Sequence, residues 1–308
     1  MKIEKSVFCG AWSAMSTPLT PDAKVDANAL EKLIEHQIKL GIKGLFIAGT
    51  AGEGPFLTNK ERERLLKLTA RFVAGRMPIA MQITDNSAER MIENLEMYQD
   101  CGMDIAVIAP PFFQSDETDD FIYDLYTQVI EASQVPVGIY NRGKFSSVAV
   151  TPEVLGRILD HKKVILVKDS ASQEDYKQAI LAAKQRRNGE LAVLCGDEFN
   201  SVPFLRDGYD GVLFGGGCFN GAYADKICQL VREGKIDEAQ EVQNHLCTVL
   251  FKVFGGETLA CWLAGQKELM VRLGVFNSAK TLLNYKLTPE CSAAIDEVIR
   301  DEKTWLLP

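Results

Sequence analysis

The chain has 308 residues, of which 46% are hydrophobic and 25% charged, and its formal net charge is -8. This composition is typical of a globular protein with a large core, and the acidic balance argues against nucleic acid or a membrane surface as a partner. No two of the eight cysteines lie in a CxxC spacing, so we expect reduced core thiols and neither a disulfide framework nor a zinc site. Without a signal-peptide pattern or an apolar run as long as a membrane span, the sequence predicts a cytoplasmic protein.

Short apolar strands alternate with amphipathic helices along most of the chain. The predicted strands are Trp12–Pro18, Gly44–Ala48, Pro78–Ile83, Ile105–Ala109, Val135–Tyr140, Val164–Lys168, Leu191–Cys195 and Gly211–Phe214. Helical patterns between them include Ala27–Leu40, Asn59–Ala74, Ser87–Asp100 and Ser172–Arg187. Strand–helix units with short connections favour a closed α/β architecture, the (β/α)8 TIM barrel. An open doubly wound sheet is the competing topology, and the lack of a GxGxxG turn after a strand argues against it.

The strand signal stops after about residue 233. Three helices are predicted beyond it, at Ile236–Phe251, Leu259–Leu273 and Pro289–Glu302. We therefore expect a barrel over residues 1–233 and a helical region over residues 234–308 that packs beside it.

The sixth predicted strand, Val164–Lys168, is a run of buried-strand residues that ends in a lysine. An ammonium group is costly to bury, so an amine in that position favours its neutral form and can attack a carbonyl carbon to form a Schiff base. The other interpretation is a lysine that reaches solvent or pairs with the neighbouring Asp169. In a barrel the chemistry lies at the carboxyl ends of the strands, so residues at those ends are candidates for one site.

The second strand runs into the turn Gly49–Glu53, which reads GTAGE. The N–H groups of this turn and the Thr50 hydroxyl are suited to hold a carboxylate, although an ordinary glycine-rich turn has the same pattern. The fifth strand ends in Tyr140 and Asn141. The phenol there is suited to move protons during imine chemistry, or it is a core tyrosine with a satisfied hydroxyl.

The seventh strand ends in two carboxylates, Asp197 and Glu198, which either bind substrate hydroxyls or cap the following helix. The eighth strand ends in Gly215–Gly217. A glycine run before a helix is the usual phosphate site of a barrel, and it is equally what a crowded barrel end needs.

The GTAGE turn, the pair Tyr140–Asn141 and the run Val167–Asp169 together resemble the dihydrodipicolinate synthase / N-acetylneuraminate lyase family of class I aldolases. The order of the motifs matches, as does the 28-residue spacing between Tyr140 and Lys168. The likeness covers nearly the whole chain, from Gly10 through the C-terminal helices.

The resemblance implies a Schiff base between Lys168 and pyruvate or another 2-keto acid, proton transfer by Tyr140, and a carboxylate-holding role for Thr50. From their places at or near the strand ends we also predict a set of substrate-binding residues, namely Gly49, Ala51, Phe113, Asn141, Arg142, Asp197, Glu198 and Leu213. The resemblance further implies a homo-oligomer and no cofactor. The histidines His36, His161 and His245 lie within or beside predicted helices, which argues against a zinc site.

Three positions depart from the family pattern. Ala51 replaces the second hydroxyl residue of the turn, and Phe112–Phe113 stands where the family has paired tyrosines. Phe145 replaces the arginine that binds a substrate carboxylate in the synthase, although the cations Arg142 and Lys144 are close in sequence. We therefore expect that this protein does not make dihydrodipicolinate.

The expected function is that of a lyase that splits or joins a 2-keto acid and an aldehyde. Two alternatives are open. The same imine could expel a hydroxyl from a sugar-derived 2-keto acid, or the barrel could bind keto acids without turning them over.

Overall fold

The structure is a computed structural model that describes residues 3–114 and 118–308. Its strands are β1 (Ala11–Ala14), β2 (Gly44–Ile47), β3 (Ile79–Gln82), β4 (Ile105–Ile108), β5 (Val137–Asn141), β6 (Val164–Asp169), β7 (Ala192–Cys195) and β8 (Gly211–Phe214). They pair in parallel in chain order, and β8 pairs with β1 to close the barrel. The predicted TIM barrel is confirmed, and the open sheet is excluded.

The helices are α1 (Ala27–Lys39), α2 (Asn59–Val73), α3 (Ala88–Tyr98), α4 (Asp119–Ala132), α5 (Pro152–Leu159), α6 (Glu174–Arg186), α7 (Val202–Arg206), α8 (Gly217–Arg232), α9 (Ile236–Phe254), α10 (Trp262–Arg272), α11 (Pro289–Asp301) and α12 (Lys303–Leu306). Helices α1 to α5 and α11 each begin behind a serine, threonine or aspartate whose side chain accepts a hydrogen bond from the first turn. Such caps satisfy backbone N–H groups that have no partner inside the helix. No described helix is both long and apolar enough to cross a membrane.

Side chains of the strands alternate between the barrel interior and the surrounding helices. In β2, Leu45 and Ile47 belong to the core between strands and helices, whereas Phe46 belongs to a separate cluster inside the barrel with Leu166 and Leu213. This alternation follows from the period of two along a strand. Lys168 lies two residues after Leu166 and therefore faces inward.

The barrel is closed at the amino ends of its strands by Trp12. Phe8 stacks on this ring at 5.3 Å between centroids, and the indole Nε1 donates to the carbonyl of Val7 at 2.7 Å. A Cβ atom on Gly44 would lie 2.5 Å from the ring, so the next strand needs a glycine there. This end is therefore filled, and we call the opposite end, at the carboxyl ends of the strands, the mouth.

Strand β1 is shorter than predicted, because it ends at Ala14 and not at Pro18. The residues that follow turn their side chains to other partners: Ser16 accepts a hydrogen bond from Gln266 at 2.6 Å, and Thr17 donates to the Gly52 carbonyl at 2.6 Å. Pro18 has no N–H to give to a neighbouring strand. Strand β8 has its predicted bounds, whereas the other predicted strands and helices are shifted at one or both ends.

The C-terminal helices pack against the mouth. Lys267 of α10 forms an ion pair with Glu53 of the GTAGE turn, with 2.5 Å between Nζ and Oε1. Gln243 of α9 donates to the Glu198 carbonyl at 2.9 Å, and Gln266 of α10 donates to the Gly215 carbonyl at 3.2 Å. These helices therefore hold the turns that follow β2, β7 and β8.

Candidate active site

Lys168 lies at the centre of the mouth with its amine over aromatic rings. Its backbone is in register with Tyr140 on one side and Leu194 on the other, and its side chain is only 6% exposed. The Nζ atom is 4.4 Å from the centroid of the Tyr140 ring and 5.3 Å from that of Phe46. No carboxylate in the described ranges lies within ion-pair distance of this amine.

Asp169, the sequence neighbour that was the alternative partner for Lys168, is used elsewhere. Its carboxylate accepts hydrogen bonds from Asn141 Nδ2 at 2.9 Å, the Ala171 N–H at 3.1 Å and the Tyr209 hydroxyl at 2.7 Å. Burial raises the pKa of Asp169 above its ordinary value despite these donors. The amide of Asn141 is thus committed to the barrel wall, and its predicted contact with substrate stays a prediction.

Tyr140 is buried beside Lys168 with its hydroxyl among polar groups. Burial alone would raise the pKa of this phenol. The charges of Lys168 and Arg142 and interactions with the hydroxyls of Thr50 and Ser170 outweigh that effect, and they lower the pKa below its ordinary value. A phenol whose anion is stabilised in this way is suited to accept and return a proton.

The GTAGE turn contains backbone N–H groups that the described structure leaves without an acceptor. Within the described part of the chain, the backbone N–H groups of Thr50 and Ala51 donate to no acceptor. Glu53 has a positive φ of 56°, and a Cβ atom on Gly54 would overlap the Ala48 carbonyl oxygen. The shape of the turn therefore depends on its small residues, and the free N–H groups are suited to hold an anion.

Two glycines make room for the lysine and its aromatic neighbours. A Cβ atom on Gly196 would lie 3.0 Å from Lys168 Cε and would overlap Ser170 Oγ, and one on Gly49 would lie 2.7 Å from the Phe46 ring. Phe46, Ser170 and Gly196 were not among the predicted site residues. Inward–outward alternation along β2 could have identified Phe46 once a barrel was predicted.

Glu198 is buried on the other side of the lysine. Its Oε2 atom accepts hydrogen bonds from the Gly216 N–H at 2.8 Å and from Asn220 Nδ2 at 3.1 Å. Burial raises the pKa of Glu198 to about 7, although these donors and the charge of Lys168 oppose the rise. Glu198 is therefore a carboxyl group that gains and loses its proton near neutral pH.

The glycine run after β8 receives this carboxylate at the start of α8, where helix N–H groups favour an anion. A Cβ atom on Gly217 would lie 2.6 Å from Ser13 Cα. Of the two interpretations of Gly215–Gly217, crowding accounts for the glycine at 217, and the protein's own Glu198 uses the N–H group of Gly216.

The other predicted residues are distributed around the mouth. Asp197 accepts hydrogen bonds from the Ser172 hydroxyl at 2.6 Å and the Phe199 N–H at 3.0 Å, so its carboxylate stabilises the loop after β7. Arg142 is half-buried, and no described carboxylate forms an ion pair with it. Leu213 is buried inside the barrel.

The aromatic residues that depart from the family pattern are exposed. Phe113 is 69% exposed and Phe145 is 58% exposed. The backbone N–H groups of Phe112 and Phe113 both donate to Asn86 Oδ1 at 3.0 Å, which fixes the course of their loop. Their side chains are thus available at the surface of this chain.

The closed TIM barrel holds a buried lysine beside a tyrosine at its mouth. Together with the family to which the chain belongs, this identifies a lyase of the aldolase type. The chain belongs to the dihydrodipicolinate synthetase family, whose model matches residues 7–283, and the predicted family membership is confirmed.

Several relatives share this fold or family. A 4-hydroxy-tetrahydrodipicolinate synthase of Listeria monocytogenes is 30% identical over 244 residues, which are 79% of this chain and 82% of that protein. The enzyme of the same name from a Sulfurihydrogenibium species is 28% identical over 89% of this chain and 94% of its own. A prophage protein of the dihydrodipicolinic acid synthase family from E. coli K12, solved in complex with pyruvate, superposes with a TM-score of 0.85 at 22% identity. That superposition covers 96% of this chain and 99% of the E. coli chain.

Proposed function

We propose that this protein is a class I aldolase that splits or joins a 2-keto acid of the pyruvate type and an aldehyde through a Schiff base on Lys168. The observation that carries the proposal is the position of its amine, buried at the barrel mouth without a carboxylate partner among the described residues and 4.4 Å from the Tyr140 ring. An amine in this position, with no counter-ion among the described residues, is placed to attack a carbonyl carbon.

Imine formation uses the groups around this amine. The nitrogen of Lys168 attacks the keto carbon, the carbonyl π electrons move to oxygen, and that oxygen leaves as water after Tyr140 has helped to move protons onto it. The free N–H groups of Thr50 and Ala51, with the Thr50 hydroxyl, bind the substrate carboxylate.

Carbon–carbon cleavage then draws electrons into the imine. The phenolate of Tyr140 accepts the proton of the C4 hydroxyl, the C4–O bond becomes a carbonyl, and the electrons of the C3–C4 bond move toward the positively charged nitrogen. An aldehyde leaves, and an enamine of pyruvate stays on Lys168. The lowered pKa of Tyr140 supports the role of proton acceptor.

The aldehyde end of the substrate lies toward the outer mouth, where Arg142 and the exposed Phe113 and Phe145 are found. Because Phe145 cannot bind a carboxylate, we propose that the aldehyde is not the aspartate semialdehyde expected from the names of the relatives. The protein needs neither metal nor organic cofactor in this scheme. We further propose that it acts in the cytoplasm as a homo-oligomer that covers part of the exposed aromatic surface.

Borohydride reduction in the presence of pyruvate tests the Schiff base. One pyruvyl adduct should appear on the peptide that contains Lys168, and Lys168→Ala should lose both the adduct and turnover. The matched control is Lys162→Ala, which removes an exposed lysine from the approach to the same strand and should behave as the wild type. An adduct on another lysine, with Lys168 unmodified, contradicts the proposal.

A panel of 4-hydroxy-2-keto acids, assayed for pyruvate release and compared with synthesis from aspartate semialdehyde, identifies the substrate class. Dehydration of a sugar-derived keto acid is a second candidate, favoured by the buried carboxyl of Glu198, which is suited to protonate a departing hydroxyl. Formation of the adduct without turnover of any compound would indicate a protein that only binds keto acids.

A further inference from the structure

Lys168 has different chemistry on its two sides. Tyr140 lies on the neighbouring strand β5, in direct register with the lysine. Glu198 follows strand β7 on the opposite side and reaches the end of β8 through its hydrogen bond with Gly216. Glu198 is nevertheless close enough for its charge to interact with that of Lys168.

The two oxygens of the Glu198 carboxylate differ. Oε2 is held by Gly216 and Asn220, whereas Oε1 has no hydrogen-bond donor within residues 3–114 and 118–308. A Cβ atom on Gly215 would lie 3.4 Å from Oε1, an ordinary contact distance, so Gly215 does not block this oxygen. One oxygen fixes the group and the other is free.

The surroundings of Glu198 contain few other groups that carry charge. Besides Lys168 of β6, its own loop contributes Asp197, and the helices that pack against it contribute the thiols of Cys218 in α8 and Cys247 in α9. Burial raises the pKa of both thiols, so they stay neutral near pH 7. Lys168 is therefore the one basic side chain among the described groups that act on the carboxylate.

We propose that Glu198 is the base that removes the C3 proton of the Lys168-bound keto acid, and the acid that returns it. This inference rests on the proposed Schiff base. It assigns the proton transfers to two residues. Tyr140 exchanges protons with the oxygen atoms of the substrate, and Glu198 exchanges protons with the methyl carbon. In this scheme Tyr140 lies on one side of the imine and Glu198 on the other.

The step balances without a further reactant. The C3–H bond breaks and its proton moves to Glu198 Oε1, while the electron pair of that bond forms a C2=C3 double bond. The π electrons of the C2=N bond move onto nitrogen, which becomes neutral. In the reverse direction the enamine takes the proton back at C3 and the positively charged imine returns.

Deuterium exchange tests this role without knowledge of the aldehyde. Wild-type protein with pyruvate in D2O should replace the methyl protons with deuterium, followed by proton NMR against a protein-free sample. Glu198→Gln should lower the exchange rate by about 10²–10⁴-fold, the usual effect of a lost acid–base group, while borohydride trapping of pyruvate on Lys168 persists. The control Glu190→Gln changes an exposed glutamate before β7 and should exchange as the wild type.

The pH dependence gives a second readout. Since only the carboxylate accepts a proton, wild-type exchange should rise with pH through about 7, and Glu198→Gln should lose this rise. If Glu198→Gln does not fold, Glu198→Asp, which moves the carboxylate back by one methylene, should exchange more slowly than wild type. An unchanged exchange rate in the folded variant overturns the role of Glu198. If the wild-type protein does not trap pyruvate, the proposed Schiff base is contradicted, and so is the role of Glu198 that rests on it.

Discussion

Two lysines are buried among the residues that the structure describes, and their surroundings differ. Lys267 is 0% exposed, and its amine binds Glu53 at 2.5 Å and the Lys280 carbonyl at 2.8 Å. Lys168 is 6% exposed, and its amine lies over the rings of Tyr140 and Phe46 without an ion-pair partner among the described residues. Both amines are shielded from water, but of the two only that of Lys267 is paired with a counter-charge.

The two lysines differ in whether a counter-charge holds the amine. Burial lowers the pKa of Lys267, and the charge of Glu53 opposes that effect and favours the ammonium form. An ammonium held in this way has no lone pair for attack on a carbonyl. For Lys168 the aromatic faces of Tyr140 and Phe46 occupy the place of a carboxylate.

Breaking the structural pair should have the largest effect on stability. Glu53→Gln leaves the Lys267 charge buried without a partner, so the free energy of unfolding should fall by about 3–5 kcal/mol, measured by urea denaturation. The exposed pair Lys252–Glu297, with 3.1 Å between Nζ and Oε2, is the control, and Glu297→Gln should cost at most about 1 kcal/mol.

The same variants test the functional side of the comparison. Folded Glu53→Gln should still trap pyruvate on Lys168, because the altered pair does not touch that amine. Pyruvate trapped on Lys267 would mean that loss of its counter-charge is enough to make a buried lysine reactive. The ion pair with Glu53 would then account for the difference in reactivity between the two lysines.

Tyr140→Phe keeps the ring beneath Lys168 and removes only the hydroxyl. Turnover of the best substrate should fall by about 10²–10⁴-fold, whereas pyruvate binding, measured by titration calorimetry, should stay close to wild type. Phe113→Tyr should give no comparable gain if protons already reach solvent through another route. Wild-type turnover in Tyr140→Phe would rule out the phenol as a proton carrier.

A smaller and pH-dependent effect on stability is expected at Glu198. Its pKa is about 7 in the folded protein and close to 4.5 in the unfolded chain, so between these values the folded state holds the extra proton. Glu198 therefore stabilises the fold below about pH 4.5, and that contribution is lost as the pH rises to about 7. Relative to Glu198→Gln, the wild type should lose up to about 3 kcal/mol across this range. Equal pH profiles of denaturation for the two proteins would contradict the raised pKa.

Local patterns were sufficient to predict the barrel, because the strands are apolar runs separated by amphipathic helices. Strand β8 has its predicted bounds, and Lys168 could be chosen from its place at the end of a buried strand. The partners of the residues after β1 could not be predicted, since Ser16 contacts Gln266, which lies 250 residues away along the chain.

The contacts of Glu53 and Glu198 also could not be predicted from the sequence. Glu53 and Glu198 both follow a strand in a glycine-containing turn, and no local pattern shows that one meets Lys267 and the other Gly216. The same limit applies to Asn141 and Asp197, whose polar groups suit a substrate but bind Asp169 and Ser172 in the fold. Such assignments depend on contacts between distant segments.

The ion pair between Glu53 and Lys267 bears on how this chain can be divided or recombined. The barrel looks separable in sequence, but a fragment that stopped near residue 233 would expose the Glu53 turn and remove the partner of its carboxylate, together with the donors from the Leu282 and Leu283 N–H groups. The turn that carries Thr50 would then lose the contacts that hold it in place. Exchange of C-terminal regions between relatives should therefore preserve this lysine, because the last helices hold the turns at the mouth of the barrel.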